Sequence, residues 1–343
     1  MIDLLRRAHA RRSRLASFMG SSSLATGIMA GLLAFAPAPA HAFCRTVTKD
    51  LPPDYSPLQG CYTDGLPLFW GNACVGYSVN RAASANLPLA AVTPIIDQAF
   101  ASWTSVTCPA SRAAVGIQAS NLGPVDCDVV KYNKYAANQN VIVFRDTEWP
   151  YSDPNNTLGL TTVTFNEETG ELYDADMEIN DTGKNLTISD TVPPNGYDLL
   201  SVVTHEAGHF FGLAHATDTK STMYASYKPG TLTLRHLSPD DIEGICDIYP
   251  TETTRAVAST VSGGTFTAGA CDPTPRHGFS TKCEVDTPPS EGGCAVGGPM
   301  GANGSGRSGA ICAVGLALGL AFAVRRQRSR MCASVGLARS TSD

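Results

Sequence analysis

Thr204-His205-Glu206-Ala207-Gly208-His209-Phe210-Phe211-Gly212-Leu213-Ala214-His215 sets three histidines four and six residues apart, with a glutamate beside the first and a glycine ahead of the third. Residues four apart share a helix face, so His205 and His209 can turn both imidazoles toward one point. Gly212 stands where the helix must stop, and glycine accepts the left-handed conformation that turns a chain sharply. After that turn His215 can return to the same point. Three neutral imidazoles leave the fourth position of a tetrahedral zinc ion for water, which marks an open site rather than a closed structural one. Glu206 is unnecessary for ligation and fits a general base that later protonates a leaving amine. With this chain's residue frequencies, such a pattern arises by chance with a probability of about 10⁻⁵.

Working outward, residues 198–212 read as a helix whose apolar faces come from Leu199, Leu200, Val203, Phe210 and Leu213. Residues 90–104 carry Val92, Ile95, Ile96, Ala99, Phe100 and Trp103 at helical spacing. Ser238-Pro239-Asp240-Asp241 opens a third helix. Residues 74–79, 141–144 and 160–165 read as strands. Glu178-Ile179-Asn180 ends a further, edge-like strand after a hairpin at Glu168-Thr169-Gly170. Strands and helices without regular alternation indicate an α+β fold.

Ser221-Thr222-Met223-Tyr224 places a methionine eight residues after His215. The long histidine motif and this methionine together resemble the metzincins, a group of zinc proteases. Trp70, Ala99-Phe100-Ala101-Ser102-Trp103 and Leu237-Ser238-Pro239-Asp240-Asp241-Ile242 extend the likeness to the matrixins. The resemblance implies a zincin/metzincin fold: a twisted, mostly parallel five-stranded mixed sheet, three helices and an active-site cleft. It implies one catalytic Zn²⁺ on His205, His209 and His215, Glu206 as catalytic base, and Met223 as a hydrophobic floor beneath the ligands. Substrates would be proteins or peptides lying as an added strand along the edge strand. Two departures stand out: Ala216 follows the third histidine where the family usually has serine, and no cysteine-switch propeptide precedes the domain. With no histidine between His41 and His205, a second, structural zinc is not expected. Structural Ca²⁺ could instead use acid-rich loops, with Asp174, Asp176 and Asp181 as candidates.

Charge and cysteine set the surroundings. The chain has 31 acidic and 25 basic residues. Eleven of the bases lie in residues 1–42 and 301–343, so the remainder carries a balance of about −15. Such a body repels phosphate backbones, which excludes nucleic acid as a partner. Arginines 6–14, an apolar run over 24–35 and Ala40-His41-Ala42 read as an export signal cleaved before Phe43. A second apolar run, 310–324, ends in Arg325, Arg326, Arg328 and Arg330. With Gly292-Gly293-Cys294 before it, this order resembles the C-terminal sorting tails of myxobacterial surface proteins; an ordinary membrane anchor is the alternative. Eight of the eleven cysteines precede that tail, enough for four disulfides of undetermined pairing in an oxidising compartment.

The expected organisation is a signal peptide at 1–42, a catalytic domain at 43–250, a Thr/Gly/Pro-rich linker at 251–300 and a sorting or anchor tail at 301–343. The linker could hold a small Cys271–Cys283 loop. The expected product is an exported monomer, secreted or on the cell surface, touching membrane only through its tail. The principal reading is peptide-bond hydrolysis. An adhesin or binding module with a non-catalytic zinc site, or hydrolysis of a cell-wall amide, are the competing ones.

Overall fold

Val141, Ile142, Val143 and Phe144 form a central strand because their side chains fill both faces of a covered sheet. The computed structural model describes residues 43–251 and 271–288, and the backbone of 333–340. The expected export signal, the 310–324 run and Gly292-Gly293-Cys294 lie outside the described residues. Among those described, no helix is long and apolar enough to cross a membrane.

In chain order the main elements are β1 (Cys74–Val79), α1 (Leu89–Thr104), β2 (Gln118–Asn121), β3 (Val141–Arg145), β4 (Thr157–Phe165) and β5 (Glu171–Asn180). They continue with α2 (Leu199–Phe210), β6 (Ser226–Tyr227), α3 (Pro239–Ile248) and β7 (Ala333–Ser340). The central sheet runs β2-β1-β3-β5-β4. Its first four strands are parallel and β4 returns antiparallel. This is the expected five-stranded, mostly parallel sheet with three helices. Beyond β4, β7 adds an antiparallel strand, and β6 pairs in parallel with β7.

The core lies where α1 and α2 meet the sheet. Tyr77 of β1 stacks on Phe100 of α1 at 3.9 Å, and Phe100 meets Phe210 of α2 edge-on at 5.0 Å. Trp103 is fully buried, and its indole N–H donates to Thr204 O at 2.8 Å, so α1 also aligns α2 along its axis.

Two expectations change. The strand that ends in Glu178-Ile179-Asn180, expected at an edge, is interior, flanked by β3 and β4, and β4 is an edge of the five-stranded sheet. Asp174 and Asp176, expected in acid-rich loops, lie in β5, and with Glu178 they are buried and bonded. Glu178 pairs with Arg145 at 2.6 Å. Asp176 accepts Val141 N at 2.7 Å and Lys131 N at 2.9 Å. The second change concerns residues 271–288, which do not form their own loop. Cys271 is bonded to Cys74 and Cys283 to Cys127, strapping this segment across the sheet. Asn138 N donates to Gly278 O at 3.0 Å, and Arg276 stacks on Tyr173 at 3.9 Å. Cys44–Cys61 and Cys108–Cys246 bring the disulfides among the described residues to four. The two strap bridges close loops of 197 and 156 residues, the kind that most restricts an unfolded chain.

Asp174 and Asp176 face each other without solvent. Burial, and then the neighbouring Asp176 carboxylate, hold Asp174 well above the ordinary carboxylate range. Burial pushes Asp176 up to about 7 against two backbone N–H donors that favour its charge. Folded-state values above the unfolded ones mean that the native protein holds extra protons. The associated stability is complete below the unfolded pKa of about 4 and is lost as pH rises through about 7. Asp174→Asn, which imitates the protonated partner, should raise stability at pH 8 by on the order of 1–3 kcal/mol and flatten the pH dependence. Urea midpoints at pH 5 and pH 8 test this; equal slopes in variant and parent would exclude the shared proton.

Candidate metal centre

Asp198 starts α2 by accepting Ser201 N at 2.9 Å, an N-cap followed by an apolar run. All twelve residues of the helix are buried, so its polar side chains must find partners inside the protein. The last carbonyls of a helix have no intrahelical donor. Here Trp70 Nε1 donates to Phe210 O at 2.8 Å and Tyr249 Oη to Phe211 O at 2.8 Å. Gly212 then turns the chain at φ +94°, packed against the Leu68 backbone. A side chain there would be both strained and obstructed.

That turn brings His215 back. Ligand-type nitrogens of His205, His209 and His215 lie within 4.8 Å of one another, and among the described residues these alone form such a cluster. His205 Nδ1 is 2.6 Å from Thr222 O, and His209 Nδ1 is 2.9 Å from Leu213 O. A carbonyl only accepts, so both Nδ1 atoms carry the proton and both Nε2 atoms carry a lone pair. These two Nε2 atoms stand 3.2 Å apart. Burial holds His205 down to about 4, and burial plus the adjacent His205 ring hold His209 down to about 3. The rings are neutral at pH 7, so two lone pairs confront each other with no proton between them. A soft-to-borderline divalent cation accepting imidazole nitrogen fits this set.

Glu206 projects from the same helix toward the edge strand. The Thr161 hydroxyl of β4 lies 2.8 Å from Glu206 Oε2 and 3.1 Å from its main-chain O. Met223 lies beneath the helix: a Cβ on Gly208 would run into its sulfur, so glycine permits the contact. Ala216 N donates to Met223 O at 2.9 Å. The position after the third histidine therefore acts through its backbone, which alanine serves as well as serine.

The calcium candidates do not converge. Asp174 and Asp176 spend their oxygens on each other and on backbone N–H groups, whereas Asp181 accepts from Ser84 Oγ at 2.6 Å beside Asp146.

Sequence reading overlooked the residue that fixes the methionine turn. Asp241 of α3 accepts Ser221 Oγ at 2.5 Å, Thr222 N at 2.8 Å and Ser238 N at 2.7 Å. Thr222 O in turn accepts from His205, so Asp241 reaches the metal centre through one residue. Ser238-Pro-Asp-Asp was legible as a helix start, but not the distant use of the same carboxylate. Asp241→Asn should cost about 2–4 kcal/mol, because one acceptor oxygen becomes a donor against buried N–H groups. If the triad holds a divalent metal, its affinity should also fall about 10–100-fold, because His205 is loosened. Denaturation and competition with a chromogenic chelator measure the two effects. Unchanged affinity in a folded variant would rule out the link.

The profile of the family described as Matrixin matches residues 69–250, just over half of the chain. Human neutrophil collagenase is 28% identical over 187 residues, covering 54% of this chain and 34% of that protein. Metalloendoproteinase 1 of Glycine max is 28% identical over 155 residues, 45% of this chain and 44% of that protein. Human matrix metalloproteinase-20 is 44% identical over 59 residues, 17% of this chain and 12% of that protein. The chain thus spans less than half the length of each of these relatives. The family match begins one residue before the indole bonded to the end of α2 and stops one residue after the phenol bonded there. It takes in the whole frame of the metal centre, and the chain belongs to the matrixin family.

Proposed function

We propose that this protein is a zinc-dependent endopeptidase that hydrolyses peptide bonds of extracellular proteins. Matrixins are zinc-dependent, and the observation that carries the reading is the pair of Nε2 lone pairs 3.2 Å apart with both Nδ1 protons committed to carbonyls. His205, His209 and His215 would hold the ion. Zinc bound there would supply Lewis acidity toward a water molecule and toward the scissile carbonyl.

The remaining work falls to side chains and backbone. Glu206 takes the proton of the attacking water and returns it to the leaving nitrogen. Thr161 aims this carboxylate by bonding Oε2 from the edge strand, at 2.8 Å. Substrate backbone pairs antiparallel with β4, so the peptide arrives extended and its carbonyl is presented at a fixed height. That this edge accepts an antiparallel strand is supported by Ala333–Ser340, which pairs with it from Val163 to Thr157. A substrate takes the same register once that segment leaves it. Met223 supplies the apolar floor under the histidines.

Export is part of the proposal. Four disulfides suit an oxidising compartment, in keeping with the leader-like residues 1–42. The tail beyond residue 300 would keep the protein at the cell surface or be removed on release.

Casein or gelatin digestion tests the reading. Chelation should abolish cleavage, and added zinc should restore it. Glu206→Gln should lower kcat by at least about 10³-fold while zinc content and fold persist. Full turnover by a zinc-loaded Glu206→Gln protein would refute the assigned proton path. An inactive parent that binds zinc stoichiometrically would favour the binding-module alternative.

A further inference from the structure

The segment that follows the methionine turn is fastened to the start of α2 by an ion pair that the catalytic steps above do not use. The Arg235 guanidinium makes two parallel bonds to Asp198, Nε to Oδ2 and Nη2 to Oδ1, both 2.7 Å. A third bond joins Nη1 to Asp190 Oδ1 at 2.6 Å. The Asp198 side chain is fully buried and that of Arg235 is 12% exposed, so the fork is shielded from water, whereas Asp190 is 92% exposed. Asp198 also caps α2 through Oδ2, and its own N–H donates to Tyr227 Oη at 3.1 Å. Tyr227 belongs to β6, and its hydroxyl donates to Thr231 O. Gly230 N donates to Gly196 O at 2.9 Å. The stretch from 226 to 236 therefore touches 189–198 at three places, and only the Arg235 contact is charged.

What this fastening controls follows from strand pairing. β7 lies on β4, and its last residues, Arg339 and Ser340, pair in parallel with Ser226 and Tyr227 of β6. A strand added to β4 thus has β6 on its other side, but only along its C-terminal part. The sheet fixes β4. The position of β6 depends on its own Tyr227 contact with Asp198 together with the following segment, which Arg235 ties to the same aspartate.

We propose that Arg235 is a positioning residue for substrate: by clamping residues 226–236 onto Asp198, it holds β6 at the distance where its backbone meets the C-terminal half of a bound peptide. This rests on the protease reading for its substrate, but not for its measurement. A bidentate fork fixes direction as well as distance, which a lysine ammonium cannot do.

The test uses two peptides with the same N-terminal half, one ending at the residue after the scissile bond and one extending four residues further. Arg235→Gln should raise KM for the long peptide about tenfold, leave the short one within about twofold, and keep kcat and zinc content near the parent's. Arg235→Lys should fall between. Removing the cation strands a buried carboxylate and could unfold the protein. The double variant Asp198→Asn/Arg235→Gln removes both charges and retains an N-cap, and should show the same loss for the long peptide alone. Peptide affinity measured by fluorescence anisotropy in a Glu206→Gln background repeats the comparison without turnover. If the parent hydrolyses nothing yet binds the long peptide with this Arg235 dependence, the protease reading fails and the clamp stands. Equal losses for both peptides, a loss confined to kcat, or no loss in a folded variant would overturn the clamp.

Discussion

Two imidazole nitrogens pointing their lone pairs at each other across 3.2 Å is an arrangement a folded chain does not adopt without support. Each ring is locked by an Nδ1–H bond to a carbonyl from beyond the helix, Thr222 O in one case and Leu213 O in the other. Those carbonyls must be held in turn. Leu213 lies directly after the turn at Gly212, and Thr222 lies in the methionine turn anchored by Asp241. The sharp end of α2, the methionine turn and the start of α3 are therefore one mechanical unit. It holds two neutral rings with their lone pairs opposed, an arrangement that a cation would relieve.

The surrounding architecture makes that unit rigid rather than creating it. α2 is buried on every side, so its orientation is decided by indole and phenol donors from Trp70, Trp103 and Tyr249. Each of these aromatics fills volume with its ring and satisfies a carbonyl with its edge, so packing and hydrogen bonding cannot drift apart. On the opposite side of the sheet the strap at 271–288 is held by two disulfides and by Arg276 on Tyr173.

Local patterns made much of this legible. The histidine spacing announced a helix, a turn and the convergence of three imidazoles, because 3.6-residue periodicity and the left-handed tolerance of glycine leave few other uses for it. The strand Val141–Arg145 announced itself as an apolar run, whereas the polar strand Gln118–Asn121 carried no such signal. Reading failed where a residue's partner is remote in sequence. Asp174 and Asp176 read as acid-rich loop residues because the partners of Asp176, Val141 N and Lys131 N, lie 35 and 45 residues away. Cys271 and Cys283 looked like a pair because their partners lie 197 and 156 residues away. Pairing of this kind is decided by topology, which no window of sequence contains.

Asp198 and Asp241 show why helix starts in this protein deserve more than a local reading. Capping a helix occupies one oxygen or one lobe of a carboxylate, and the remaining acceptor capacity faces away from the helix. Asp241 spends it on Ser221, Thr222 and Met223, and Asp198 spends it on Arg235. The two aspartates thus grip opposite ends of the segment 221–236, one at the metal floor and one at the far wall of the cleft. A polar residue at a helix start that is wholly buried has too little solvent to satisfy its second oxygen, so a tertiary partner is required. In this fold both partners lie in the same segment, so on the proposed reading the place of the ion and the place of a peptide would be coupled.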